Sequence, residues 1–243
     1  MRRSFYLLLC SLLICTLNLQ AQNSPIKVTE ASTVKDSSGV VYPFIIWRAL
    51  LMNSEYIIQP IDPQDQNTAF LLVKLSEEQK NKRLERMLKP RESTFFKTGK
   101  EFSLFKTSDI DHNKINLKEE KGKIIVLNFW FIDCPPCRME IPALNELVEA
   151  YKGNDSVRFI AIALDVKPDL KYFLKSTPFN YTIVDDGRYL ATRYGVRAFP
   201  THVIIDQQGK IYFHTVGLAM NTAYWLKKSI DELLRQSSSI AQK

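Results

Sequence analysis

The segment Lys123–Trp130 reads Lys-Ile-Ile-Val-Leu-Asn-Phe-Trp, and the chain then reaches Cys134-Pro135-Pro136-Cys137. A near-continuous apolar run of this length is the pattern of a strand buried on both faces, and such strands sit in sheets covered by helices on each side. Pro135 suits the first position of a helix, because its missing N–H would go unpaired there anyway and its φ is already fixed near the helical value. The sequence therefore predicts a strand that feeds directly into a helix over Pro135–Tyr151, with two cysteines at the junction. Val157–Leu164 is a second buried apolar run, and together the three elements predict a β-α-β unit.

The remaining patterns extend an α/β fold. Lys167–Ser176 predicts a helix, Tyr181–Val184 a short extended segment and Tyr189–Tyr194 a helical turn. His202–Asp206 and Lys210–His214 flank Gln207-Gln208-Gly209 and predict a hairpin. Thr222–Arg235 predicts a terminal amphipathic helix, with Ser237–Ser239 as a frayed tail. Phe102–Phe105 and Ile115–Leu117 predict a small hairpin ahead of the first buried strand. Residues 22–93 differ in character. They predict a helix from Pro43 to Met52, two short apolar runs at Tyr56–Ile58 and Phe70–Val73, and a charged helix over Glu77–Lys89. That helix is opened by the capping pair Ser76 and Gln79 and stopped by Pro90. The expected division is a leader over 1–21, a small α+β extension over 22–93 of illegible role, and an α/β domain over 94–243.

The leader rests on Arg2 and Arg3 followed by the uncharged apolar run Phe5–Leu17 and then Leu19-Gln20-Ala21, the layout of a secretory signal cleaved near Ala21. The run is short for a membrane span, so an uncleaved signal anchor would be the sole membrane contact. The reading places the rest of the chain in the periplasm or cell envelope. The 243 residues carry a net charge of +7 with no Lys/Arg run interleaved with aromatics, which argues against nucleic-acid binding. At 45% hydrophobic and 24% charged, the chain has the composition of a folded globular protein and not of a disordered one.

Four cysteines are present, and removal of the leader takes away Cys10 and Cys15. An exported pair is usually a structural staple. Here the ring spans only two intervening residues, and so short a loop constrains the unfolded chain little. A zinc site needs about four ligands, and His112, His202 and His214 lack ligand spacing. Redox chemistry is the reading that remains, with no metal or dissociable cofactor. Cys134, at the helix N-terminus, gains from the N–H groups and dipole that favour an anion, and the thiolate is the nucleophile. It is expected to be exposed. Cys137, one turn later and facing inward, is placed to resolve a mixed disulfide. At about 100° per residue, Ile141, Leu144, Leu147, Val148 and Tyr151 share an arc with Cys137, and Glu140 falls inside it. A buried acid one turn from Cys137 can carry its proton; the alternative is a carboxylate leaning to solvent. Pro142 is expected to kink this helix. Pro200 is a candidate cis proline, or else a trans proline opening an edge strand.

Asn128-Phe129-Trp130, the Cys-Pro-Pro-Cys motif, Glu140, Pro142 and Gly195-Val196-Arg197-Ala198-Phe199-Pro200-Thr201 together resemble thioredoxin-fold proteins. More narrowly they resemble the exported TlpA/ResA-like branch of thiol–disulfide oxidoreductases, over residues 94–236. The resemblance implies a thioredoxin-like fold, a central mixed sheet flanked by helices. It implies Cys134 as nucleophile, Cys137 as resolving thiol and Glu140 as the family's acid. It implies a cis Pro200 beside the cysteines, with Phe199 presenting backbone to an extended partner, and Trp130 is expected to bind the partner with them. It further implies disulfide-containing envelope proteins as partners, apocytochrome among them, a membrane protein as electron donor, and action as a reductant. A disulfide oxidase or isomerase, and a copper-binding chaperone using Cys134, Cys137 and a histidine such as His202, are the alternatives. Two departures stand out. Asp133 occupies the position where thioredoxins usually have Trp, and Asn128 stands where thioredoxin has a buried Asp.

Overall fold

A computed structural model describes residues 26–52 and 54–241, so the leader, with Cys10 and Cys15, lies outside the described residues. The N-terminal part carries β1 (Val34–Lys35), β2 (Val41–Tyr42), α1 (Phe44–Met52), β3 (Tyr56–Pro60), β4 (Phe70–Lys74) and α2 (Glu77–Arg86). A hairpin of β5 (Lys106–Ser108) and β6 (Lys114–Asn116) follows. The chain then alternates through β7 (Ile124–Trp130), α3 (Pro135–Ala150), β8 (Val157–Ala163), α4 (Lys167–Ser176), β9 (Thr182–Val184) and α5 (Arg188–Arg193). It closes with β10 (Thr201–Ile205), β11 (Ile211–Val216) and α6 (Thr222–Ala241).

The main sheet has the order β11-β10-β7-β8-β9. β8 pairs parallel to β7 and β9, while β10 runs antiparallel to both β7 and β11. All seven residues of β7 are buried, as its uninterrupted apolar run requires. Ile124, Val126 and Trp130 face a layer that holds Ile141, Leu144 and Leu147 of α3 and Leu226, Ile230 and Leu233 of α6. Ile125, Leu127 and Phe129 face Phe96, Phe102, Phe105 and Leu190. This is the α/β, thioredoxin-like architecture.

Three local expectations need correction. The small hairpin forms at Lys106–Ser108, not at Phe102–Phe105. Phe102 and Phe105 are instead core side chains, and the Asp109 carboxylate, accepting the Asp111 and Asn113 N–H groups, sets the hairpin turn. α2 stops at Arg86, with the capping pair Ser76 and Gln79 intact, because Met87 is already extended. α6 continues through the serines to Ala241. Ser237 and Ser238 donate back to the Leu233 and Leu234 carbonyls, and Gln207 donates to the Ser237 hydroxyl at 2.7 Å. Outside these three, Pro142 lies inside α3, whose helical span runs from Pro135 to Ala150.

The N-terminal strands form their own sheet, β2-β1-β4-β3, around Val34, Trp47, Phe70 and Leu72. α2 lies against α6, far along the chain from the cysteines, and Asn221 at the head of α6 donates to the Leu84 and Leu88 carbonyls. Arg91 contributes its carbonyl to Val216 N–H and the Thr215 hydroxyl, so the link following α2 is laced to β11. Among the described residues, no helix is long and apolar enough to cross a membrane.

Candidate active site

β7, the central strand, delivers the chain to the end of the sheet at Trp130, and Phe131, Ile132 and Asp133 turn it into α3. That turn is anchored. The Ile132 N–H donates to Asp165 Oδ2 at 2.8 Å, and Leu164 N–H donates to the Trp130 carbonyl at 3.0 Å. Cys134 is the N-cap of α3, and its Sγ accepts the Cys137 N–H at 3.3 Å. The cap position of a sixteen-residue helix thus holds a sulfur where a serine or aspartate oxygen commonly sits, and the same N–H groups and dipole stabilise that sulfur as a thiolate. Cys134 and Cys137 are joined in a disulfide, with Cα atoms 5.3 Å apart.

Cys134 is 3% exposed and Cys137 1%, so the expected exposure of the first sulfur is not found in the bridged form. Phe131, Ile132 and Phe199 pack against the cluster that holds both sulfurs, which is why the pair lies beneath the surface. Asp133, next to Cys134, is exposed.

The second segment arrives from β10. Thr201 pairs with Phe129, and the Phe199–Pro200 peptide just before it is cis. This register carries Phe199 to the cysteine loop, where its ring meets Phe131 edge-on at 5.4 Å. The Pro200 carbonyl is committed within the protein, accepting the Gly217 N–H at 2.8 Å. Trp130 needs correction as a partner-contacting residue. It is 0% exposed and packs on Phe173 and Phe179, so it supports the motif from below. Beside the motif lies a shallow groove of about 380 Å³, lined by Ile132, Asp133, Asp165, Asp169 and Tyr172.

Glu140 is on the buried stripe of α3 with Cys137, Ile141, Leu144 and Leu147, and it does not lean to solvent. Its Oε2 lies 2.9 Å from His202 Nε2, with Glu140 6% and His202 0% exposed. His202 is the residue that sequence reasoning missed in this role, having weighed it only as a metal ligand. The signal was its place in the alternation of β10. His202 shares a face with Ile204, toward α3, and stands opposite Asn128 of β7. Tyr181 joins the group from the segment ahead of β9. Burial pushes its phenol far up, and the Glu140 charge adds to the rise. Among the described residues, no group of three His, Cys, Asp or Glu side chains is placed to hold a metal ion.

A mixed sheet with paired cysteines at a strand-to-helix junction and a cis proline beside them defines a thioredoxin-fold protein. Two sulfurs held one turn apart can be a dithiol or a bridge, and interconversion moves one electron pair. Comparison with known proteins gives the same class. The AhpC/TSA family model matches residues 98–214. The thiol–disulfide oxidoreductase ResA of Bacillus thuringiensis (strain Al Hakam) is 37% identical over 122 residues, covering 49% of this chain and 69% of that protein. ResA of Halalkalibacterium halodurans is 33% identical over 126 residues, covering 50% and 70%. The crystal structure of a putative thiol:disulfide interchange protein DsbE from Chlorobium tepidum superposes with a TM-score of 0.52 at 27% identity, over 57% of this chain and 99% of that one. The chain belongs to the ResA-like thiol–disulfide oxidoreductases of the thioredoxin fold. It is a protein-disulfide oxidoreductase. Residues 26–97 lie outside the matched segment.

Proposed function

We propose that this chain is an exported dithiol reductant that opens disulfides in proteins of the periplasm or cell envelope. The observation that carries the reading is the disulfide-forming pair Cys134 and Cys137 at the N-terminus of α3, with Phe199 and the cis Pro200 beside it. Cys134 attacks a partner disulfide as the thiolate, and the partner's first sulfur leaves as a thiol. Cys137 then loses its proton, attacks Cys134 Sγ and releases the second partner sulfur. Glu140 takes up the Cys137 proton. Phe199 and Pro200 offer the surface along which an extended partner lies, and the neighbouring acidic groove gives it room. The signal-like pattern over residues 1–21 supports export. The reducing direction is supported by likeness to ResA, and in an oxidising compartment it requires a membrane protein to restore the dithiol. Apocytochrome, on its way to cytochrome c, is the substrate class that this likeness favours.

Two measurements test the reading. Cys137→Ser, expressed in the native envelope, should accumulate mixed disulfides on Cys134, and mass spectrometry should identify envelope proteins in them. The reduction potential of the pair should lie near about −270 mV; a value near about −120 mV would make the protein an oxidant instead.

A further inference from the structure

The buried polar group under the cysteines is larger than the exchange of two sulfurs requires. Glu140 reaches into the core from α3, and His202 meets it from β10. The other groups on this face of the sheet are Asn128 of β7, Ala161 of β8 and Tyr181 ahead of β9, with Cys137 one turn back on α3 and apolar Leu226 and Ile230 facing from α6. Cys134, Cys137 and Tyr181 are the other buried titratable groups of this cluster among the described residues. Glu140 Oε1, His202 Nδ1 and Asn128 Oδ1 are buried and make no hydrogen bond among the described residues. A buried polar atom left unpaired costs roughly 1–3 kcal/mol, and a face of the core that holds these three, with the Tyr181 hydroxyl likewise unpartnered, calls for a functional explanation.

We propose that His202 is a positioning residue for the second half of the exchange: its Nε2–H holds Glu140 Oε2 and leaves Oε1 free to take the proton of the Cys137 thiol. The inference rests on the roles proposed above for Cys134 and Cys137. The step balances. Cys137 gives its proton to Oε1, and its sulfur bonds to Cys134 Sγ. The bond from Cys134 to the partner sulfur breaks, and that sulfur leaves with the electron pair. The cysteine pair is oxidised by two electrons and the partner disulfide is reduced by the same two. Oε2 still accepts from His202 once Oε1 is protonated, so the buried hydrogen bond survives the transfer. Asn128 cannot exchange a proton in this way, which leaves the task with Glu140.

The test is stopped-flow reaction of the reduced protein with dithio-bis-nitrobenzoate. This disulfide releases one coloured thiolate when Cys134 attacks and a second when Cys137 closes the bridge. The released thiolate needs no proton, so the second phase reads the deprotonation of Cys137. His202→Gln should leave the first release within about twofold, slow the second about tenfold near neutral pH and move its pH midpoint by about one unit. Glu140→Gln should slow the same phase, and the double variant should be no slower than Glu140→Gln alone, because His202 acts through the carboxylate. A second release that matches wild type at every pH would overturn the proposal. So would losses in both phases together, or losses that multiply in the double variant. If His202→Gln does not fold, the 15N signals of the His202 ring in the wild-type chain decide. They should differ between the dithiol and bridged forms near neutral pH, and identical signals at all pH values would overturn the inference. A wild-type chain that gives no second release would remove the cysteine roles themselves; a normal wild type with an unchanged His202→Gln removes this inference alone.

Discussion

Asp133 places a formal negative charge beside the sulfur whose reactivity depends on becoming negative. The residue is exposed, so water and salt screen it, and the helix N-terminus works in the opposite direction. Asp133→Asn should lower the pH of half-maximal alkylation of Cys134 by about half a unit at low salt, an effect expected to fade near 1 M salt. Iodoacetamide labelling across pH measures it. The placement of Cys134 and Cys137 at the strand-to-helix junction was legible because the apolar run and the proline after Cys134 speak directly to the local backbone. Glu140 was legible from its angle on α3. The contact of His202 with Glu140 was not, because it joins a helix and a strand through residues 62 apart in the chain. A second histidine shows the contrast. Burial holds His214 below the ordinary imidazole value, and Ser93 N–H donates to its Nδ1 at 3.1 Å. A base whose folded value is depressed adds stability above its unfolded value of about 6.5, and that stability is lost as pH falls through the folded value. Urea midpoints should therefore fall on acidification below about 6.5. His214→Gln should flatten that limb and cost about 1 kcal/mol at neutral pH through the lost hydrogen bond.

Elements with a strong period were read closely. β7, β8, α3 and α4 lie within about one residue of their expected bounds, because burial on two faces or one stripe leaves a clear pattern. The errors came where side chains signal burial without signalling backbone pairing. Phe102 and Phe105 carry the apolarity of a strand, yet they plug the core. Phe102 stacks on Tyr194 at 4.7 Å, while the ladder forms on the polar residues that follow. The end of α6 failed for the opposite reason, since serines that favour caps and turns were recruited by their own helix. The docking of α2 on α6 had no signal, because it depends on one amide meeting two carbonyls more than 130 residues away. Asn221 is 1% exposed, so Asn221→Ala strands the buried Leu84 carbonyl. It should cost about 1–3 kcal/mol in chemical denaturation, with thiolate release by Cys134 unchanged.

Across the whole molecule, the described chain holds three sheets; the two larger ones have separate cores, and the redox pair lies at the end of the five-stranded one. Fold class was legible at this scale because one β-α-β unit with flanking buried strands admits few arrangements. The four-stranded sheet was legible only as short apolar runs, since a two-residue strand such as β1 carries no period of its own. The buried Glu140–His202 contact sets a limit on how such a molecule can be hardened. Replacing both residues together by leucine would trade an ion-capable contact for packing, a change that is often neutral or worth up to about 4 kcal/mol, or on the order of 2–4 °C per kcal/mol for a chain of this size. Calorimetry should find the doubly apolar variant at least as heat-resistant as the parent, while bridge closure slows. Breeding this protein for endurance alone would then select against its own turnover, and a thermostable lineage that kept the acid and the imidazole would be declaring which of the two properties its host cannot spare.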